Sequence, residues 1–241
     1  MQPNAYRSPD GTSVPAVTRA EMERVDRVAT EDVGLDLVRM MEHAGRGLAT
    51  TVLGLEPESV TVLAGSGGNG GGALACARHL ANRRVPTRVH LTRDPEHLEG
   101  ATAEQLGVLE AMEVPVASSG PIELEGTVVD GVIGYGLEGS PRGGAARLIA
   151  AAERHEGPIV ALDVPSGVDS TTGDRPGAFV SPDLTATLAL PKTGLIGAGG
   201  QFRLLDLSIP DVVYERVGLD VEPPFGDEFV VGLSPVDLDA T

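Results

Sequence analysis

The chain changes its hydrophobic period several times, and those changes mark its elements. Val60-Thr61-Val62-Leu63-Ala64 is an unbroken apolar, β-branched run that stops at Gly65, and from Gly72 an alanine-rich helical pattern begins. Runs of the same kind predict strands near 59–64, 87–92, 127–133, 158–163, 184–190 and 202–208. Helical spacings near 72–83, 102–112 and 143–155 separate the first four. Strands alternating with helices pair in parallel, with helices on both faces of the sheet. Ahead of them, Thr18 and Glu21 form a capping box for a helix carrying Met22, Val25 and Val28, and a second helix covers Gly34 to Leu53. The segment Met40 to Arg46 sets Ala44 and Gly45 among apolar residues, as close helix packing requires. The expected fold is a three-layer α/β/α Rossmann-like sandwich with a mostly parallel central sheet and N-terminal helices. The last two strands are close in sequence and are expected to pair at an edge. No repeat or linker divides residues 1–241, which read as one domain with a loose arm over 1–17 and an irregular acidic tail over 219–241.

Charge narrows the choice of partner. Eighteen basic residues stand against 35 acidic ones, a net charge of −17, which argues against nucleic acid or an anionic membrane surface. Lys192 is the only lysine. An acidic, lysine-poor chain suits a salt-rich, halophile cytoplasm, although a high-GC genome also replaces lysine with arginine. Cys76 alone forms no internal disulfide and no cysteine-cluster metal site, and in an alanine-rich helix it reads as packing. Without a basic-then-apolar leader or an apolar run near ~20 residues, a cytoplasmic protein is expected.

Candidate chemistry lies at the carboxyl ends of the strands, where open parallel sheets collect ligands. Six of the eight residues Gly65 to Gly72 are glycine. Such a strand-to-helix loop offers backbone N–H groups to an anion, which makes Gly68, Asn69, Gly70, Gly71 and Gly72 candidate ligand contacts. A tight turn is the bland alternative, but it needs fewer glycines. Gly65-x-Gly67-x-x-Gly70 fits a dinucleotide fingerprint, with Asp94 after the next strand as a ribose acceptor. The absence of Lys-Ser or Lys-Thr after the glycines excludes a nucleoside-triphosphatase loop. Two more loops, Asp130 to Gly143 and Asp163 to Asp169, are expected at the same crevice. One Asp in such a loop is usually a turn former, and three convergent loops weaken that reading. Glu42 and His43 are within reach of a ligand, but solvated or locally bonded side chains are the commoner case.

Taken together, the three loops resemble the YjeF amino-terminal domain family, the NAD(P)H-hydrate epimerases. The family pattern A-G-x-G-N-N-G-G-D-G is similar to Ala64–Ala73, D-x-x-x-G-x-G-L to Asp130–Leu137, and D-x-P-S-G to Asp163–Gly167. M-E-x-A-G-R resembles Met41–Arg46, and A-D-x-T-x-T-x-x-x-P-K-x-G resembles Pro182–Gly194. The likeness spans about residues 18–210. Gly68, Gly72 and Ala73 stand where the pattern has Asn, Asp and Gly.

The resemblance implies interconversion of the R and S forms of NAD(P)HX, hydrated at C6 of the nicotinamide ring, with acid–base catalysis by Asp163. It implies main-chain wrapping of the substrate by Gly134, Tyr135, Gly136, Leu137, Glu138, Gly139 and Ser140, with Arg142 adding charge or serving only as a solvated helix start. It also implies a potassium ion (K+) on Asn69, Asp130 and Ser166, a homodimer, and a separate NAD(P)HX dehydratase as functional partner. Lys192 lies in a matched motif without an assigned role. Two other readings cover part of the pattern. A generic Rossmann NAD(P)-binding oxidoreductase explains only the first loop. A catalytically degenerate relative, acting as a nucleotide-binding or protein-interaction scaffold, fits Gly72 in place of Asp, whereas the retained Asn69, Asp130, Asp163 and Ser166 favour the epimerase.

Overall fold

The computed structural model describes residues 1–236, and the last five positions of the expected acidic tail lie outside them. In chain order the elements are β1 (Gln2–Arg7), β2 (Ser13–Ala16), α1 (Arg19–Arg27), α2 (Leu37–Leu53), β3 (Val60–Ala64), α3 (Gly68–Ala81), β4 (Thr87–Leu91), α4 (Gly100–Ala111), β5 (Val116–Ala117), β6 (Thr127–Gly131), α5 (Gly143–Ala152), β7 (Ile159–Leu162), β8 (Leu184–Leu188), β9 (Gln201–Leu205), α6 (Asp211–Arg216) and β10 (Val230–Pro235). They build one ten-stranded sheet in the order β2-β1-β10-β9-β8-β7-β6-β3-β4-β5. From β5 to β9 every pairing is parallel, and β10, β1 and β2 continue the sheet antiparallel.

Strand periodicity divides the core. Val60, Val62 and Ala64 pack with Leu48 and Val52 of α2, Leu74 and Leu80 of α3 and Leu109 of α4. Leu63 points the other way, to Leu148 and Ile149 of α5. The fully buried parallel strands read as continuous apolar runs because both faces are covered. Helices α2 and α3 meet closely, as the small residues of Met40–Arg46 require: a Cβ on Gly45 would lie 2.4 Å from that of Ala75. The Thr18–Glu21 capping box forms as expected, and α1 runs on into a π-turn over Val28–Asp32.

The two ends of the chain differ from expectation. Residues 1–17 are no loose arm, because β1 and β2 form a hairpin that buries Tyr6, Val14 and Ala16. Tyr6 packs edge-on against Phe202 of β9, with ring centroids 5.5 Å apart. The segment after 219 is not irregular throughout, since β10 pairs with β9 on one side and β1 on the other. Strand β9 therefore lies inside the sheet, and its pair with β8 is not an edge. Among the described residues no helix is long and apolar enough to cross a membrane.

Candidate active site

The strand after β3 in sequence, β4, lies on one side of it, and β6 lies on the other. Loops leaving β3 and β6 thus diverge and open a crevice at the carboxyl ends of the strands. The cleft there has a volume of about 1060 Å³. Its floor is tight backbone packing. A Cβ on Gly65 would stand 2.0 Å from the Val132 carbonyl oxygen, and one on Gly70 would stand 1.9 Å from the Gly65 carbonyl oxygen. Glycine at these positions lets the β3–α3 turn nest against the loop after β6. Thr102 of α4 holds the turn from outside, its Oγ1 donating to the Gly67 carbonyl at 3.1 Å.

Asp163, directly after β7, is the most constrained group in the cleft. It is 2% exposed and sits at φ +68°, a left-handed conformation uncommon outside glycine. Its Oδ2 accepts the Tyr135 backbone N–H at 3.0 Å, while Oδ1 accepts from the Lys192 ammonium and from the Leu188 N–H at 3.4 Å. Lys192 is 1% exposed, and its Nζ also donates to the Leu188 carbonyl at 2.9 Å. The only lysine of the chain is therefore buried as the counter-charge of the candidate catalytic carboxylate. Its Nζ lies 5.7 Å from the centroid of the Tyr135 ring.

The Tyr135 hydroxyl donates to the Asp26 carboxylate of α1. Burial raises the Asp26 carboxyl pKa above its ordinary value, against the lowering effects of the Tyr135 hydrogen bond and the Lys192 charge. Burial likewise raises the Tyr135 phenol, and the neighbouring Asp26 charge adds to it. Two carboxylates, Asp163 from below and Asp26 from above, thus face one cleft and are joined through Tyr135. Asp26 carries no motif signal. Only the position of α1 over the crevice reveals it.

A second polar cluster lies behind the cleft. Asp130 is fully buried, and its carboxylate accepts the Ser166 N–H at 2.8 Å, the Ser166 hydroxyl at 2.6 Å and the Val132 N–H at 3.2 Å. Burial pushes the Asp130 carboxyl up, and the Ser166 hydrogen bonds oppose that shift. Ser166 Oγ in turn accepts the Ile133 N–H at 2.8 Å. The side-chain Oδ1 and Nδ2 of Asn69 are buried without a hydrogen-bond partner among the described residues. A Cβ on Gly134 would lie 3.0 Å from Asn69 Oδ1 and 3.1 Å from Asp163 Oδ2, so these two oxygens converge on one small space.

Gly68, Asn69, Gly134, Tyr135, Gly136 and Asp163 all line the cleft. Gly70, Gly71 and Gly72 do not. Helix α3 starts at Gly68, earlier than its pattern suggests, and turns these glycines into packing positions. Gly71 lies against Met41, and Gly72 lies against Leu162 and Ala44. Leu137, Glu138 and Ser140 line a shallower recess that shares Ile133, Gly136 and Arg142 with the main cleft, and Gly139 lines neither. That stretch is drawn outward. Arg19 of α1 donates to the Leu137 carbonyl at 3.1 Å and pairs with Glu138 at 3.0 Å, and Ser140 Oγ donates to the Pro176 carbonyl at 2.6 Å. Arg142 does line the cleft. Glu42 does not: it pairs with Arg78 and His79 on α3. His43 lines a separate groove, Asp94 is not in the cleft wall, and Cys76 is a buried thiol whose pKa burial raises.

Comparison with known proteins agrees with this architecture. The family model described as YjeF-related protein N-terminus matches residues 38–194. The chain belongs to that family. A member from Dehalogenimonas lykanthroporepellens, named NAD(P)H-hydrate epimerase, is 41% identical over 95% of this chain and 97% of its own length. Another, from Salinibacter ruber, is named bifunctional NAD(P)H-hydrate repair enzyme Nnr; it is 35% identical over 84% of this chain and 42% of its own length. Among solved structures, that of the yeast protein ynu0 superposes with a TM-score of 0.77, covering 91% of this chain and all of that one, at 21% identity. The fold is thus shared with a solved structure of widely different sequence.

Proposed function

We propose that this chain is an NAD(P)H-hydrate epimerase, an isomerase that interconverts the R and S hydrates of NADH or NADPH. The observation that carries the reading is Asp163, a buried carboxylate fixed by Lys192 and the Tyr135 N–H at the wall of a dinucleotide-sized cleft. The names of relatives that match nearly the whole chain support it.

The chemistry follows from the substrate. C6 of the hydrate carries a hydroxyl beside the ring nitrogen, whose lone pair assists departure of that hydroxyl once it is protonated. The Asp26–Tyr135 pair, with a carboxyl raised by burial, suits the proton donor. Loss of water leaves a cationic ring, which the Asp163 carboxylate stabilises by charge. Water then adds to the opposite face and gives its proton to a carboxylate, which completes the exchange of hands without net oxidation.

Asn69, Asp130 and Ser166 fit a hard cation. All three offer oxygen, and the Asn69 amide oxygen is buried without a partner among the described residues. In this reading they would hold K+, and a cation there would order the loops after β3, β6 and β7 and offset negative charge beside the substrate's pyrophosphate. Gly72 is a packing position against Leu162 and Ala44, and the Asn69, Asp130, Asp163 and Ser166 side chains retained around the cleft favour the epimerase over a catalytically degenerate scaffold. In this reading a separate dehydratase acting on the S form completes the repair, and the Salinibacter relative's name, a bifunctional repair enzyme, supports a second activity alongside the first. A homodimer through the first two helices belongs to the same reading, with Val33 exposed at their junction.

The test is conversion of purified R-NAD(P)HX in KCl, coupled to an S-specific dehydratase. Consumption of the R form above the spontaneous rate, lost in Asp163→Asn, is expected. Asn tolerates the left-handed backbone at 163 but leaves Lys192 without its counter-charge, so the rate is read on protein whose fold is verified by circular dichroism. No acceleration by the folded protein would refute the assignment.

A further inference from the structure

The ionisable groups of the cleft are sorted by sign. Its carboxylates are Glu23 and Asp26 on α1 and Asp163 after β7, with Lys192 buried among them. Apart from the Tyr135 phenol, the remaining ionisable groups in its wall among the described residues are Arg93, His97 and Arg142, all cationic or able to become so. Arg93 and His97 follow β4, and Arg142 precedes α5. The two regions adjoin, because a Cβ on Gly144 would stand 1.8 Å from the Thr92 carbonyl oxygen. From β7 to β4 the sheet steps through β6 and β3, three strand spacings or about 14 Å. The cationic end is therefore displaced across the sheet from Asp163, on the far side of the glycine loop.

That displacement gives the substrate a direction. With the reacting ring at Asp163 and the pyrophosphate at the N-terminus of α3, the adenosine ribose falls at the end of β4. A dinucleotide fold that prefers an unphosphorylated ribose sets a carboxylate there for the 2′-hydroxyl, whereas an arginine there receives a 2′-phosphate. The chain has both, at Arg93 and Asp94. The structure distinguishes them. Asp94 accepts the Ser118 hydroxyl at 2.6 Å and lies outside the cleft wall, whereas Arg93 lies in it. Among the described residues Arg93 and Arg142 form no ion pair, although the protein has an excess of carboxylates.

We infer that Arg93, flanked by Arg142 and His97, recognises a phosphomonoester on the adenosine ribose, so that the cleft prefers the hydrate of NADPH to that of NADH. The inference rests on the epimerase reading for the identity of the whole ligand. Its recognition element is nevertheless separable from turnover. A guanidinium receives a phosphate through paired, charge-assisted hydrogen bonds, and a neutral amide does not replace them.

Calorimetric titration with 2′-phospho-ADP-ribose and with ADP-ribose isolates this end of the cleft, because neither probe carries a nicotinamide ring. The phosphorylated probe is expected to bind about 10- to 100-fold more tightly. In Arg93→Gln the preference should fall to within about twofold, and Arg142→Gln should lower it in part. Equal binding of the two probes by the unmodified protein would overturn the inference, as would a preference that survives the Arg93→Gln/Arg142→Gln double variant. Binding of neither probe would overturn it as well. Epimerisation of both hydrates is measured in parallel. Turnover without discrimination refutes only the phosphate site, whereas discrimination by the probes without turnover of either hydrate refutes the epimerase and leaves the phosphate site in place.

Discussion

Replacing Lys192 with methionine tests the centre of the site most directly. The substitution keeps an unbranched side chain of similar length but removes the charge that faces Asp163. In the native protein Lys192 is 1% exposed and Asp163 is 2% exposed, so water cannot replace the lost partner. Asp163 would retain only the Tyr135 N–H at 3.0 Å and the longer Leu188 N–H at 3.4 Å, and the Leu188 carbonyl would lose its ammonium donor. Breaking a buried pair from one side costs about 3–5 kcal/mol, because the remaining charge is uncompensated. In a domain of this size each kcal/mol lowers Tm by about 2–4 °C, so Lys192→Met should melt about 6–20 °C lower. Thermal melts by circular dichroism, read alongside the epimerase rate, check this. The Asp163→Asn/Lys192→Met double variant should recover most of the lost stability, since a neutral pair carries no such penalty, and remain inactive. A single variant melting within about 2 °C of the wild type, or a double variant no more stable than the single, would show that the ion pair does not carry the assigned energy.

Three further outcomes follow from the same geometry. The Asp26 carboxyl is raised in the folded state, so its stabilising contribution is fully present below the unfolded pKa and is lost as pH rises through the folded one. Asp26→Asn should therefore gain stability relative to wild type between pH 4 and pH 7 in urea titrations, and an unchanged difference across that range would contradict the burial argument. At constant ionic strength, exchanging tetramethylammonium for potassium should raise the melting temperature by the equivalent of about 1.4 kcal/mol at ten times the dissociation constant, and Asn69→Ala should abolish the effect. Gly134→Ala would press a methyl within 3.0 Å of Asn69 Oδ1 and 3.1 Å of Asp163 Oδ2. Its kcat/KM should fall about tenfold or more, with little change in melting temperature.

The parallel half of the fold is legible in the sequence because strands covered on both faces are continuous apolar runs, such as Val60 to Ala64. The start of α3 is harder to read. Its first turn contains Gly68, Gly70 and Gly71, residues of poor helix propensity that are held helical by contact with Met41 and the Gly65 carbonyl. Strands β1, β2 and β10 have half-exposed, proline- and serine-containing sequences, and β1 pairs with residues more than two hundred positions away. No local pattern announces such a partner. At the site, Asp130, Asp163 and Ser166 are readable from their motifs, and the structure groups Asp130 with Ser166 and sets Asp163 against Lys192. The contact between Asp26 and Tyr135 spans 109 residues and depends on where α1 comes to rest. Lys192 stands out in the sequence as a lone lysine, and only its buried partner Asp163 gives it a role.

The hairpin of β1 and β2 also constrains the order of assembly. Its inner neighbour β10, through which it joins the rest of the sheet, contains residues 230–235, so the first strands made on the ribosome cannot enter the sheet until nearly all the chain has emerged. Meanwhile the parallel core from β3 to β9 can pair within itself. Just beyond the hairpin, Val17 donates its N–H to the Pro191 carbonyl at 2.8 Å and accepts the Thr193 N–H at 2.8 Å, gripping both sides of Lys192. Closure of the hairpin and final seating of Lys192 against Asp163 are therefore one late event, and a refolding chain should recover its parallel core before it recovers its chemistry.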